Sequence, residues 1–340
     1  MKRILVGIIL LAACGSDEAS TTTCEAGETL NPITGTCDIS RTTNPLPDFG
    51  QPDLGTSDAS DDVAVDSPDM APDVETDVPT MSCTRDADQD GHIAMECGGD
   101  DCDDLNASRS PSLGEICDEL DNDCNGLVND DVTCSFYAHS DSTLYRLDPF
   151  KLTLDQVGAL PGLFDIDTHP DGTLYGLSPE FLYRFDAVGG QWNRLPQGLG
   201  ATVGNANGMA IDSDGKVFIT SENKLFTANL NTGVAQFEGN MGGFYVSSGD
   251  CVVTKQDVLY MTSSHTPTDS LVVVDGINAM TTSVGVTGFR GIWGLTSAWG
   301  RLWGVTSSGD LVEINRNTGT ATRVHNFAAS FYGAASTPDR

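Results

Sequence analysis

The side chains in this chain best suited to chemistry are aspartates at alternate positions. Residues 86 to 104, DADQDGHIAMECGGDDCDD, hold seven aspartates, one glutamate and two cysteines in nineteen positions. Asp86, Asp88 and Asp90 take the alternating ligand positions of a calcium loop, Gly91 supplies the sharp turn, and the carbonyl of His92 is the next ligand. A second segment, DNDCNGLVNDD (121 to 131), repeats the grammar with Asp121, Asp123, Asn125, Gly126 and the carbonyl of Leu127. Carboxylate oxygens held about 4 Å apart repel by roughly 4 kcal/mol per pair at an effective dielectric of 20, so such turns are costly unless a cation sits between them. Hard oxygen donors favour calcium over zinc or copper. The twelfth position of each loop, Cys97 and Val132, is not the bidentate glutamate of an EF-hand. Glu96, Asp130 or Asp131 would have to reach in, or Asp101, Asp103 and Asp104 could close the shell from the middle.

The order of these parts carries a family resemblance. Asp88-x-Asp90-Gly91, then Asp101-Cys102-Asp103-Asp104, then Glu115-x-Cys117-Asp118, then Asp121-Asn122-Asp123-Cys124-x-Gly126-x-Val128 is similar to the metal-binding repeat of MopE-like bacterial surface proteins, over about 46 of 340 residues. The resemblance implies an extracellular metal-binding module, and the family's name points to copper. Asn125 and Asn129 stand where acids are common in it, and Glu119 where glycine is common. The residues themselves give copper little support, because His92 is the only imidazole between 83 and 134. Three readings of the acidic turns follow: structural calcium, capture of copper or another metal, and an unmetallated acidic staple. The apolar inventory here is chiefly Ile93, Met95, Leu105, Leu113, Ile116, Leu120, Leu127 and Val128, small for some fifty residues. Disulfides and metal are expected to stand in for a core.

The address of the chain is written at its start. Lys2 and Arg3 precede an apolar run from Ile4 to Leu11, too short for a membrane span, and Leu11-Ala12-Ala13-Cys14 resembles a bacterial lipobox. The expectation is a signal peptide over 1–13, acylation of Cys14, and a lipid anchor as the sole membrane contact. Gly15 after the cysteine, in place of an acidic residue, points to the outer membrane, with the protein facing the cell surface or the periplasm. Export into an oxidising compartment reads Cys24, Cys37, Cys83, Cys97, Cys102, Cys117, Cys124 and Cys134 as four disulfides, with their connectivity open. Cys251 remains as a small buried hydrophobe. Residues 14–37 form a lipidated start and a small loop between Cys24 and Cys37. Residues 38–82, rich in Asp, Pro, Thr and Ser, are expected to be a disordered tether of about 35 to 40 Å or longer. Residues 83–134 are the cysteine-rich module.

Charge divides the chain the same way. Residues 15–134 carry 30 acidic and 3 basic side chains, against 19 and 12 in residues 135–340. So negative a field repels nucleic acid and anionic lipid and gathers cations, which excludes a polyanion as partner.

From Ser135 the sequence changes to short β-branched and aromatic runs broken by Asp-Gly and Asn-Thr-Gly. FYAHSDSTLYRLD (136 to 148), shifted by 38, falls on LYGLSPEFLYRFD (174 to 186), and the copies VFIT, LYMT and LWGV follow at steps of 43, 42 and 43. Four short antiparallel strands per unit is propeller-blade spacing, whereas a β-sandwich calls for no such repeat. The segment opens on a second-strand copy, FYAHS, and closes on FYGAAS (331 to 336), which resembles the first-strand copies. The terminal strand therefore completes the first blade, and residues 135–340 are predicted to be a mainly β, five-bladed β-propeller with no open sheet edge.

Five-bladed propellers include glycosidases, whose carboxylates project from innermost strands. Here Glu180 and Glu222 fall in turns, Glu313 in a third strand and Glu238 near a blade end, leaving Asp165, Asp167, Asp212 and Asp250 to line the channel mouth. Trp293, Trp299 and Trp303 read as packing between blades more than as a sugar platform. The histidines are scattered. The expected function is a binding or adhesion scaffold with a protein or glycan ligand at the propeller, ahead of a metal-capture lipoprotein or a channel enzyme.

Overall fold

The computed structural model describes residues 28–30, 37–39, 86–242, 244–264, 267–338 and 340. The expectations for the leader, Cys14, Cys24, Cys83 and the tether fall outside these residues, as does the side chain of Cys37. Glu28–Leu30 pairs antiparallel with Cys37–Ile39.

Residues 136 onward form five four-stranded antiparallel sheets. Blade 1 is Gly333–Ala335, Phe136–His139, Thr143–Asp148 and Thr153–Ala159, in that order from inside to outside. Blade 2 is Asp165–Thr168, Leu174–Leu177, Leu182–Asp186 and Gln191–Arg194; blade 3 is Ala206–Ile211, Val217–Ser221, Lys224–Ala228 and Ala235–Asn240. Blade 4 runs Ser247–Val253, Leu259–Ser263, Ser270–Val274, Thr281–Val286, and blade 5 Ile292–Ala298, Arg301–Thr306, Asp310–Ile314, Ala321–Asn326. The ring closes as the phase of the repeat requires: Gly333, Ala334 and Ala335 pair with His139, Ala138 and Tyr137.

Local chemistry repeats with the blades. Asp148, Asp186, Asn229, Asp275 and Asn315 each follow or end a third strand, and the Oδ1 of each accepts the N–H two residues on, at 2.7 to 3.0 Å. This side-chain turn reverses the chain into the fourth strand. In blades 1, 3, 4 and 5 the third and fourth strands carry a bulge at the same place, beside Leu144, Leu225, Leu271 and Leu311. A bulge adds twist, which fans the outer strands away from the axis.

The core lies in the gaps between blades. Each of the five hydrophobic clusters spans two neighbours, as where Leu177 and Leu182 of blade 2 meet Met209, Ile219 and Phe226 of blade 3. Trp303 is buried in the gap between blades 5 and 1, with Phe150 edge-on to it at 6.1 Å and Trp299 beside Phe150 at 5.5 Å.

Inner strands of neighbouring blades belong to separate sheets, so some amides facing the axis need side-chain partners. Aspartates supply them. Asp165 Oδ2 accepts the N–H of Met209 at 2.6 Å, Asp167 Oδ2 that of Ile211 at 2.7 Å, and Asp167 Oδ1 that of Ser336 at 2.8 Å. Asp250 Oδ2 accepts from Leu295, while the hydroxyls of Thr262 and Thr296 donate to the carbonyls of Ile292 and Ala335. Strands this close leave no room for some side chains: a Cβ on Gly333 would lie 2.4 Å from His139 Nε2 and 2.7 Å from Asp165 Oδ1.

Candidate metal centre

The module before the propeller is held by polar contacts. Met95, Leu105, Leu113, Ile116, Leu120, Leu127 and Val128 are exposed, and the buried side chains between 86 and 134 are Asp101, Ser110, Glu115, Asn122, Asn129 and two cysteines. Glu115 is its hub: Oε1 accepts the N–H of Asn122 at 2.6 Å and of Asp123 at 3.1 Å, and Oε2 that of Asn129 at 2.5 Å. Asn122 accepts from the Ile116 N–H and donates to Ser108 O and Asp118. Disulfides Cys102–Cys124 and Cys117–Cys134 cross-link it, and Cys97 is disulfide-bonded as well.

In the first loop Asp86 Oδ1 accepts the Gln89 N–H at 2.6 Å and Oδ2 the Gly91 N–H at 2.9 Å. Asp88 Oδ1 accepts from Asp90 N, and Asp90 Oδ1 from His92 N. These turns aim the acids inward: Asp86, Asp88 and Asp90 each offer a carboxylate oxygen within 4.8 Å of the others. Asp101 is 1% exposed and is held in place by Met95 N–H donating to its carbonyl and its own N–H donating to Ile93 O. Asp88 Oδ2, Asp90 Oδ2 and Asp101 Oδ2 are buried with no hydrogen-bond donor. Loss of water around its carboxylate raises the Asp88 pKa, the Asp90 amide pulls it back, and the charges of Asp90, Asp101 and Asp86 raise it again. Buried, unpaired carboxylate oxygens are costly, and a bound cation removes that cost.

The remaining predicted ligands make further contacts, and Glu115, Asp121 and Asp123 offer carboxylate oxygens as close to one another as those of the first loop, within 4.8 Å. Asp103 faces Arg109 at 3.1 Å, and Asp104 Oδ1 accepts the Ala87 N–H at 3.1 Å, closing the first loop onto the segment after it. The His92 ring hydrogen-bonds Asp100 at 2.9 Å, and that contact raises its pKa. Asp121, Asp123 and Asn125 form the second loop with Glu115 beside them, the N–H of Leu127 donates to Asn125 Oδ1, and Asp131 is exposed. Cys102 and Cys124, next to Asp101, are joined to each other, so no thiolate remains there for a soft metal. The donor set is oxygen, which fits a hard cation.

The module sits on one face of the ring. Glu119 has a left-handed backbone, φ 71°, which is why glycine suits that position, and its carboxylate pairs with Arg301 at 3.2 Å. The Arg301 guanidinium also lies over the rings of Phe150 and Trp303.

The channel aspartates are not at its mouth as expected: Asp165, Asp167 and Asp250 are wholly buried inside the ring and committed to backbone amides. Asp212 closes the turn before Lys216. Of the three tryptophans, Trp293 alone stands at the start of an inner strand, where its ring lies 5.1 Å from that of Tyr332.

Fold and site together define a class of protein: a MopE-type metal-binding motif followed by a five-bladed β-propeller. Residues 101–130 match the MopE copper-binding family model, described as a "Putative metal-binding motif". The first loop, 86 to 92, lies ahead of the matched segment. No curated protein matches the chain. Among solved structures it is similar to a chain of Kuenenia stuttgartiensis hydrazine synthase, with 16% identity and a TM-score of 0.36 over 49% of this chain and 50% of that one. It thus spans half the length of that relative. A chain of the nidogen/laminin complex gives 14% identity and a TM-score of 0.43, over 59% of this chain and 97% of the other. Selenomethionine-substituted virginiamycin B lyase from Staphylococcus aureus gives 11% and 0.36, over 58% and 72%.

Proposed function

We propose that the chain is an exported lipoprotein, anchored through acylated Cys14 in the outer membrane, whose calcium-stiffened neck presents the propeller to a protein or glycan partner. The observation that supports the cation in the neck is the trio of buried, donorless carboxylate oxygens on Asp88, Asp90 and Asp101 in a module with almost no apolar interior. Calcium supplies what those oxygens lack, and an all-oxygen shell suits it better than copper.

The way the ring is held supports a scaffold. The module joins the start of Phe136–His139 and touches Arg301 at the start of Arg301–Thr306. Both strands run antiparallel to the inner strands of their blades, so the module lies on the face where inner strands end. The opposite face, where inner strands begin, displays Phe164, Phe244 and Tyr332, exposed by 47, 98 and 38%. Exposed aromatics grouped on one face are common at binding surfaces. The buried, amide-bound state of the channel aspartates favours this reading over a glycosidase.

Calcium at about 1,000 times its dissociation constant is expected to stabilise the oxidised chain by about 4 kcal/mol relative to chelator. Thermal melts in calcium chloride and in chelator that coincide would overturn the calcium reading. Incorporation of labelled palmitate is expected to disappear in Cys14→Ser, and label persisting in that variant would remove the anchor from the scheme.

A further inference from the structure

The two acidic loops align residue for residue at an offset of 35. Gln89 and Cys124 are left-handed, at φ 68° and 58°, and so are Gly91 and Gly126, at 100° and 89°. Asp86 Oδ2 and Asp121 Oδ2 accept from those glycines, both at 2.9 Å. Asp88 Oδ1 and Asp123 Oδ1 accept the N–H two residues on, at 3.2 and 3.1 Å. Asp90 Oδ1 and Asn125 Oδ1 do the same toward His92 and Leu127, both at 2.8 Å.

The loops part at one atom. In the first, the other oxygen of Asp90 is buried without a donor, together with those of Asp88 and Asp101. In the second, the same place is taken by the amide nitrogen of Asn125, which donates to Asp123 Oδ2 at 3.0 Å and to Asp130 Oδ2 at 3.2 Å. The orientation of this amide is fixed by chemistry, since only its carbonyl can accept from Leu127. Every carboxylate oxygen of Asp121, Asp123 and Glu115 therefore meets a donor from the protein, and the two oxygens of Asp130 share the second N–H of the Asn125 amide.

We propose that the neck binds one divalent cation, among Asp86, Asp88, Asp90 and Asp101, and that the Asn125 amide takes the ion's place in the second loop. A cation in the second loop would have to displace that nitrogen, and turning the amide over would strip the Leu127 N–H of its acceptor. The second half of the module keeps its shape without metal, and the Cys102–Cys124 disulfide ties the ion-dependent half to it. This inference rests on the metal-binding reading above and sets its stoichiometry.

Titration of the oxidised, chelator-stripped chain with calcium chloride by calorimetry tests it. One ion per chain is expected for the wild type. Asn125→Asp restores the acid and is expected to bind two. Asp90→Asn gives the first loop the chemistry of the second, and is expected to lose calcium affinity by at least about 100-fold while keeping its circular dichroism spectrum. Two ions in the wild type, or one in a folded Asn125→Asp, would overturn the single-ion proposal and leave metal binding intact. No binding by the wild type would overturn both. Asp90→Asn with unchanged affinity would move the site away from the first loop and so overturn the proposal as well.

Discussion

A chain ended after Ser330 is expected to lose the cooperative melt of the propeller. The ten residues removed include the strand Gly333–Ala335, which is the inner strand of blade 1 and is bonded to Phe136–His139. Phe331, fully buried between blades 5 and 1, goes with them, as do Ala334 and Ala335. Truncating one such phenylalanine in a core costs about 3 to 5 kcal/mol on its own. The tail also carries Ser336, which donates to Asp167, and Arg340, which donates to Thr168 O at 2.9 Å and sits 3.8 Å from the Asp167 carboxylate. Losing both would leave Asp167 buried and short of partners. Against a total stability of about 5 to 15 kcal/mol, the sum leaves no stable ring. The uncovered edge of Phe136–His139 should also promote association between chains. Calorimetry and near-ultraviolet circular dichroism of the truncated chain check this. A two-state melt within a few degrees of full length would show that the ring does not depend on its closing strand.

The ring was legible in the sequence because a propeller writes the same local instructions in every blade. The second-strand copies and the Asp and Asn turns at 148, 186, 229, 275 and 315 recur at intervals near 42, and the out-of-phase ends of the segment disclosed the closure. The aspartate belt was not legible. Asp165, Asp167 and Asp250 look like channel-lining acids until neighbouring inner strands are seen to leave Met209, Ile211 and Leu295 amides to them, at separations of 44 and 45 residues. Contacts at that distance carry no local signal. Both acidic loops could be read from spacing and glycine, since a turn and its ligand positions are set within six residues. Asp101 could only be offered as one of several acids to complete the first loop. What isolates it is the bridge that seats it beside Ile93 and Met95, a product of the fold.

Asp250→Asn is expected to stabilise the propeller at neutral and alkaline pH and to change the shape of its pH profile. Asp165 and Asp250 are wholly buried; burial, and for Asp165 the neighbouring Asp250 carboxylate, push their titration well above the ordinary carboxylate range, while the contact with Asp165 and the Leu295 amide pull Asp250 part of the way back. Asp165 spends its oxygens on the amides of Ile166 and Met209, while Asp250 Oδ1 has no N–H donor. The pair therefore keeps one proton that the unfolded chain releases above its ordinary value of 3.8. A retained proton means stability is lost as pH rises, by about 1.4 kcal/mol per unit from that value until the folded pair titrates. His139 works in the opposite sense. Burial holds its pKa down to about 4 against 6.5, so it costs stability as pH falls between those values. The two slopes oppose each other between about pH 4 and 6.5, so the shared proton masks the His139 dependence there in the wild type. An asparagine at 250 can donate an N–H to Asp165 in place of the shared proton and carries no titrating carboxyl of its own. The variant should keep more stability than the wild type as pH rises from about 4 through 6.5, with the His139 slope uncovered. Asp167 stays beside Arg340 in both proteins, and Cys251, whose thiol burial pushes well above its ordinary range, stays neutral in both, so neither offsets the difference. Melting temperatures of the two proteins from pH 4 to 9 decide it: parallel curves would mean that Asp165 and Asp250 do not share a proton. A variant less stable at pH 8 would mean that the second carboxylate, not the proton, holds Leu295 in the ring.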